Sequence, residues 1–245
     1  MHRKDGMETK KKILSVCVKL FLEYGYKQTS VNMIIEQAGV ARGSYQNLFH
    51  TKDCILEELV ETMFDGQFAA ARKMTADKLP PLYIYAVETA VQLTLTELNE
   101  NLREIYLESY TLPNTSECIH LHTAAEIKNI FADRLPNYTD TDFYEFEIGS
   151  AGLMRGYMAK KCDVRFPLKR KITCFLTAAL RMYNVPKKEI DEVTKYVNSL
   201  DLVKISSEVI EKLFLMLEVK YDFKLHRNEH CEDALPVGTD TTAEG

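Results

Sequence analysis

Apolar residues recur along this chain at helical spacing. In the first segment Ile13, Val16, Leu20, Phe21 and Tyr24 fall on one stripe of a helix, and Gly25 follows where a left-handed C-terminal cap is expected. Ser30 then predicts the N-cap of a short helix carrying Val31, Ile34, Ile35 and Ala38, which Gly39 ends. After a two-residue link, residues 42–49 read as a third short helix with Tyr45, Leu48 and Phe49 turned inward. Thr51 is placed to cap a longer fourth helix whose apolar face is Ile55, Leu56, Leu59, Val60, Met63, Phe64 and Phe68.

Punctuation becomes sparse beyond residue 75. Pro80-Pro81, Pro113, Pro136, Pro167 and Pro186 separate long segments, each with helical periodicity. No run alternates with a period of two and no repeat of solenoid length occurs, so the expected fold is all-α. The expected organisation is a three-helix unit with a helix-turn-helix at 1–54, a helical domain at 55–225 and a disordered acidic tail at 226–245. Residues 229–245 hold five acids and neither Lys nor Arg.

Charge changes this picture only once it is partitioned. The 245 residues carry a formal net charge of −5, which taken whole argues against a polyanionic partner. Residues 1–54 nevertheless hold nine Lys or Arg against five Asp or Glu, so the N-terminal unit is basic and the acidity lies elsewhere. No apolar stretch approaches the ~18 residues of a membrane span, and residues 1–12 are polar and lysine-rich, unlike a signal peptide. The six cysteines are scattered, without a Cys-x-x-Cys pair or zinc spacing, and read as reduced core thiols of a cytoplasmic protein. There is no Gly-x-Ser-x-Gly elbow, phosphate loop, dinucleotide fingerprint or zinc helix. His120 and His122, two apart, fall on different faces of a helix. The expectation is therefore no catalytic site, no metal and no cofactor.

Three short helices, the second and third joined closely at Gly39, match a helix-turn-helix, in which the third helix enters the DNA major groove. The particular residues go further. Lys12-Ile13-Leu14, Leu20-Phe21, Gly25-Tyr26, Thr29-Ser30-Val31, Ile34, Ala38-Gly39-Val40, Gly43, Phe49, Thr51-Lys52-Asp53 and Leu56, in this order, resemble the DNA-binding domain of the TetR family of bacterial repressors. The resemblance covers residues 8–60.

That resemblance implies a set of DNA contacts. The small residue, Lys and Gly that open the family's recognition helix correspond here to Ala41, Arg42 and Gly43, and Gly43 would let the helix start approach a phosphate. Arg42 can reach a phosphate or the O6/N7 edge of guanine. Ser44, Gln46 and Asn47 form the polar face of the helix, and Thr29, Ser30 and Lys52 match backbone-contact positions, although the first two also serve as caps. The chain departs from the family at Tyr45-Gln46, where members show Leu-Tyr: Gln46 takes the contact position, to pair with adenine or touch phosphate. Lys10, Lys11 and Lys12 read either as phosphate contacts at the start of the first helix or as its solvated face.

For the remainder, the resemblance implies a homodimer interface and a pocket for a small-molecule inducer, hence a repressor released from a palindromic double-stranded operator. The apolar runs at 213–217 and 172–183 surround whole helical turns and favour a four-helix dimer contact over a monomer core. Tyr106, Tyr110, Tyr144 and Tyr157, accompanied by Glu104, Glu108, Glu145 and Glu147, are the candidate ligand residues, suited as a set to a lipophilic cation. Gly149, Gly152 and Gly156 read as close-packing positions. The competing reading is a helical dimeric interaction module that has lost DNA binding.

Overall fold

The computed structural model describes residues 2–61 and 80–226. The tail at 227–245 and Met63, Phe64 and Phe68 of the fourth helix lie outside them. Among the described residues every regular element is helical: α1 (His2–Tyr24), α2 (Val31–Ala38), α3 (Arg42–Leu48), α4 (from 53 to at least 61), α5 (Pro81–Leu98), α6 (Glu100–Ser109), α7 (Pro113–Phe131), α8 (Asp140–Ala159), α9 (Leu168–Met182), α10 (Lys187–Ser199) and α11 (Leu202–Tyr221). The only extended pairing among them is an isolated bridge between Asp163 and Phe166.

Local chemistry accounts for the boundaries. Gly25 ends α1 at φ +85°, its N–H bonded to Phe21 O at 3.0 Å. The Ser30 side chain caps α2 by accepting the Met33 N–H. Gly39, at φ +58°, closes α2 with its own N–H on Glu36 O and the Val40 N–H on Ile35 O. Five of the expected prolines stand at helix starts: Pro81 and Pro113 inside the first turn, Pro80, Pro167 and Pro186 at the caps. The expected cap at Thr51 is displaced by one residue. The Leu56 N–H bonds to Lys52 O, leaving Thr51 outside the helix with its hydroxyl 3.8 Å from the Cys54 sulfur.

Helix α1 is buried more widely than its single stripe predicts. Ile13, Leu14, Cys17, Val18, Leu20 and Phe21 are all buried, while Tyr24 is exposed and Val16 only half-buried. The reason is that α1 meets α2 and α3 on one side and α6 and α11 on the other. It joins the head to the body.

The centre of the body is α5, touched by α6, α7, α8, α9, α10 and α11. Its residues from Leu82 to Thr96 are almost all buried, and Thr89, Thr94 and Thr96 satisfy their hydroxyls on carbonyls of the preceding turn. The helix enclosed on all sides is therefore α5, whereas α11 buries Leu217 and exposes Leu215, Met216 and Val219. At the end of α5 Glu97 is tied to Arg103 of α6 and to the fully buried Lys171 of α9, whose amine also reaches Lys160 O. Burial alone would raise the Glu97 carboxyl, but hydrogen bonds from Arg103, Lys171 and the Cys162 N–H outweigh it and hold it at about 2.

Two further expectations are corrected. Gly152 and Gly156 of α8 pack on no described residue: both are exposed, with no described atom within 4 Å of where a Cβ would stand. Of the five described cysteines, all free thiols, only Cys17 is fully buried, and the others are half-buried. Cys231 lies outside the described residues.

Candidate nucleic-acid interface and ligand cavity

Helix α3 has two opposite faces. Tyr45 is buried with Phe49 beneath it, the two rings 6.1 Å apart, and Leu48 is half-buried beside them. Ala41, Arg42, Gly43, Ser44, Gln46 and Asn47 are all exposed on the outer side. Gly43 has open space around its Cβ position, so nothing inside the chain requires a glycine there. The Arg42 guanidinium donates to Asn32 Oδ1 of α2 at 2.5 Å, which holds the side chain across the groove between the two helices. Ser30 is exposed at the start of α2.

Two of the sequence-assigned positions turn out to build the head. Thr29 is fully buried and donates its hydroxyl to Gly25 O at 2.8 Å, so that hydroxyl locks the α1–α2 turn and is not presented to a phosphate. Lys52 is partly buried: its amine donates to Tyr26 O and Thr29 O at 2.8 and 3.2 Å and lies 4.0 Å from the centre of the Tyr26 ring. The same ring carries a hydroxyl bonded to Asp53. Residues 52 and 53 therefore fasten the start of α4 to the turn before α2. The three lysines divide similarly. They lie mid-helix, since α1 begins at His2; Lys10 pairs with Glu58, and Lys11 and Lys12 are exposed.

The head is bound to the body at two places. On α6, Asn101 Nδ2 donates to Leu22 O at 2.8 Å, Glu104 accepts the Lys27 N–H at 3.1 Å, and Glu108 pairs with the Lys27 amine at 3.0 Å. At the far end of α11, the Ser15 hydroxyl donates to Asp222 O, and His226 donates its N–H to Glu23 at 2.9 Å. The α6 contacts were legible as a spacing: Asn101, Glu104 and Glu108 stand three and four residues apart on one face.

The cavity of the body opens between α5, the end of α6, α7 and α8, and encloses about 330 Å³ including its mouth. Tyr85, Glu88, Tyr110, Glu147 and Ser150 are among its lining residues. Of the four tyrosines assigned to a ligand, Tyr110 lines it and Tyr106 is buried close by. Tyr144 donates its hydroxyl to Glu117 at the surface, and Tyr157 packs between Phe166 and Phe175, so neither belongs to the cavity. Among the accompanying acids only Glu147 lines it; Glu104 and Glu108 face the head and Glu145 is exposed. Sequence reasoning missed Tyr85 and Glu88. The signal was present, because Glu88 is the single charged residue between positions 81 and 96.

Glu88 and Glu147 are the least expected features of the body. Burial, with Glu126 adding repulsion, pushes Glu88 up to about 8. Burial and then the Glu88 charge raise Glu147 well above the ordinary carboxyl range. Burial likewise lifts the phenols of Tyr85, Tyr110 and Tyr183, keeping them neutral. Among the described residues no three His, Cys, Asp or Glu converge as a metal site, and no helix is long and apolar enough to cross a membrane.

Comparison with known proteins agrees with the head's geometry. Residues 13–59 match the model of the bacterial regulatory proteins, tetR family. The chain is 28% identical over 116 residues to YuxN, an uncharacterized HTH-type transcriptional regulator of Bacillus subtilis, covering 45% of this chain but 38% of that protein. It is 23% identical over 171 residues to the HTH-type transcriptional repressor KstR2 of Rhodococcus jostii, covering 68% of this chain and 74% of that one. The fold superposes on RolR, solved in complex with resorcinol, with a TM-score of 0.63 at 16% identity, over 78% of this chain and 95% of RolR. Residues 13–59 thus form a helix-turn-helix domain of the type found in the tetR family of bacterial regulatory proteins, and the chain is similar to helix-turn-helix transcription regulators.

Proposed function

We propose that this chain is a dimeric, ligand-responsive repressor. Its α3 helices would enter successive major grooves of a palindromic operator, and a small molecule in the α5–α8 cavity would release it. The observation that carries this reading is the placement of α6. One face of that helix holds the head through Asn101, Glu104 and Glu108, and Tyr106 and the following Tyr110 stand at the cavity. A ligand that displaces the cavity end of α6 acts on the head through those bonds, shifting the population toward a state with misplaced heads. Arg42, Gly43, Ser44, Gln46 and Asn47, flanked by Ala41 and Ser30, supply the DNA face. The glycine-lined outer side of α8, with Ile148 also exposed, supports a second copy docking there, where small residues permit close helix approach.

Fluorescence anisotropy with DNA from upstream of the protein's own gene, at two salt concentrations, tests the reading. Sequence-specific binding that weakens with salt and is lost in Arg42→Ala is the expected result. Absence of binding at low salt would instead favour the interaction module.

A further inference from the structure

Glu88 of α5 and Glu147 of α8 come from facing helices into one cavity, 5% and 2% exposed respectively. Each keeps a carboxylate oxygen, Oε1 of Glu88 and Oε2 of Glu147, without a hydrogen-bond partner among the described residues. Among the described residues no Lys, Arg or His side chain lines the space. A buried acid that serves the fold alone is normally paired, as Glu97 is by Arg103 and Lys171 at the other end of the same helix. The contrast along α5 separates an acid the fold neutralises from two that it leaves unneutralised beside aromatic rings.

The charge pattern decides the ligand class. An anion would meet two carboxyls, and among the described residues no three His, Cys, Asp or Glu converge as a metal would need. A positively charged organic group gains an ionic hydrogen bond at each acid, while tyrosine rings accept its charge and its carbon atoms. We infer that the effector of this regulator is an organic cation, an ammonium or amidinium compound. Its charge is held between Glu88 and Glu147 and its skeleton lies against Tyr85 and Tyr110. The cavity has room for about one water, so entry of such a ligand has to part α5, α6 and α8. This assignment rests on the reading of the chain as a ligand-responsive regulator and names the chemistry of its site.

The raised carboxyls add a signature. Binding of a cation favours their charged forms and therefore expels protons, so affinity rises with pH as the medium approaches 8. The other titratable groups facing the pair are Glu126 of α7, Tyr85 of α5, Tyr106 and Tyr110 of α6 and its end, and Tyr183 after α9. Burial keeps Tyr85, Tyr110 and Tyr183 neutral throughout that window.

The test uses the full chain and a series of equal shape and different charge: 4-phenylbutylammonium, 4-phenylbutanol and 4-phenylbutyrate. Each is added at up to about 10 mM, above the millimolar Kd that a small fragment reaches. Thermal shift and calorimetry read binding, and anisotropy reads release of operator DNA. The ammonium compound alone is expected to bind, releasing protons in buffers of differing ionisation enthalpy. Glu88→Gln and Glu147→Gln should each weaken it by about tenfold or more. Stronger binding of the alcohol or the carboxylate, no binding of the ammonium compound, or ammonium binding indifferent to both substitutions would overturn the assignment. If the protein holds its operator and only a neutral or anionic member releases it, the cation assignment fails while the regulator reading stands. Failure to bind the operator with no ligand present, whatever the fragments do, counts against the regulator reading.

Discussion

Glu88 gives the structure its sharpest consequence for stability. Its carboxyl ionises near 4.5 when free and near 8 in the folded chain, because burial penalises the anion and Glu126 adds repulsion. The folded state therefore holds the proton more tightly than the unfolded state does. That contribution is complete below about pH 4.5 and is lost as pH rises through 8, so the wild type weakens toward neutral and alkaline pH. At about 1.4 kcal/mol per pH unit, the loss attributable to Glu88 is under about 1 kcal/mol at pH 5 and about 4 kcal/mol at pH 8. Glu88→Gln keeps the shape and removes the charge, so its gain over the wild type should grow by about 3 kcal/mol between those two values. In urea, with m of about 1–3 kcal/mol per molar for proteins of modest size, the unfolding midpoint moves by about 1 M or more. Both proteins must be compared at one concentration and without ligand, because association and binding shift the midpoint as well. An equal difference at pH 5 and pH 8 would refute the reasoning, since it would mean that the Glu88 carboxylate is already solvated or paired in the native protein.

Three further outcomes follow from other parts of the molecule. Lys171→Met removes one of the two cations that hold Glu97 in the core and should cost up to about 3 kcal/mol of unfolding free energy; because Glu97 is held at about 2, the wild type should also lose stability as pH falls from about 4.5 to 2, a slope that Glu97→Gln removes. Tyr45→Phe should leave stability within about 1 kcal/mol of wild type and operator affinity unchanged, since the buried hydroxyl has no hydrogen-bond partner, whereas Tyr45→Ala should cost about 3–5 kcal/mol in urea unfolding and abolish binding. The triple substitution Asn101→Ala, Glu104→Ala and Glu108→Ala removes the three bonds described from α6 to the head, so operator affinity without ligand should persist while ligand-induced release falls from the usual ~5- to 150-fold toward none in anisotropy titrations; unchanged release would remove these bonds from the coupling route.

What could be read from the sequence divides according to how local its cause is. Gly25, Ser30 and Gly39 set helix ends through their own backbone preferences, and they stand in the structure where their residue types place them. Thr29 and Lys52 show the limit of the same reasoning: position within a motif pointed outward to phosphate, while their side chains close the α1–α2 turn on atoms 4 to 26 residues away. The widest departures lie in the body. Tyr106, Tyr144 and Tyr157 sit on regular helices and Tyr110 just past the end of one, and only the packing of several helices decides which rings share a cavity. Tyr144 and Tyr157 are thus separated from Tyr110, although periodicity gives no reason to distinguish them.

Charge was the more informative signal, and it was overlooked for its scarcity. A lone acid in the neutral run of α5 has to be explained by something across the bundle, as the second acid at its end is by Arg103 and Lys171. Glu88 finds instead another acid, Glu147, and no described cation lines the space they share. Two buried acids without a described cationic partner oppose folding at neutral pH, and natural proteins accept such costs mainly where function draws on them. A ligand that supplies the positive charge gains from relieving that strain as well as from its own contacts. The features that make the body less stable would thereby sharpen its response to the effector, and α6, bonded to the head and ending at the cavity, is the element placed to transmit it.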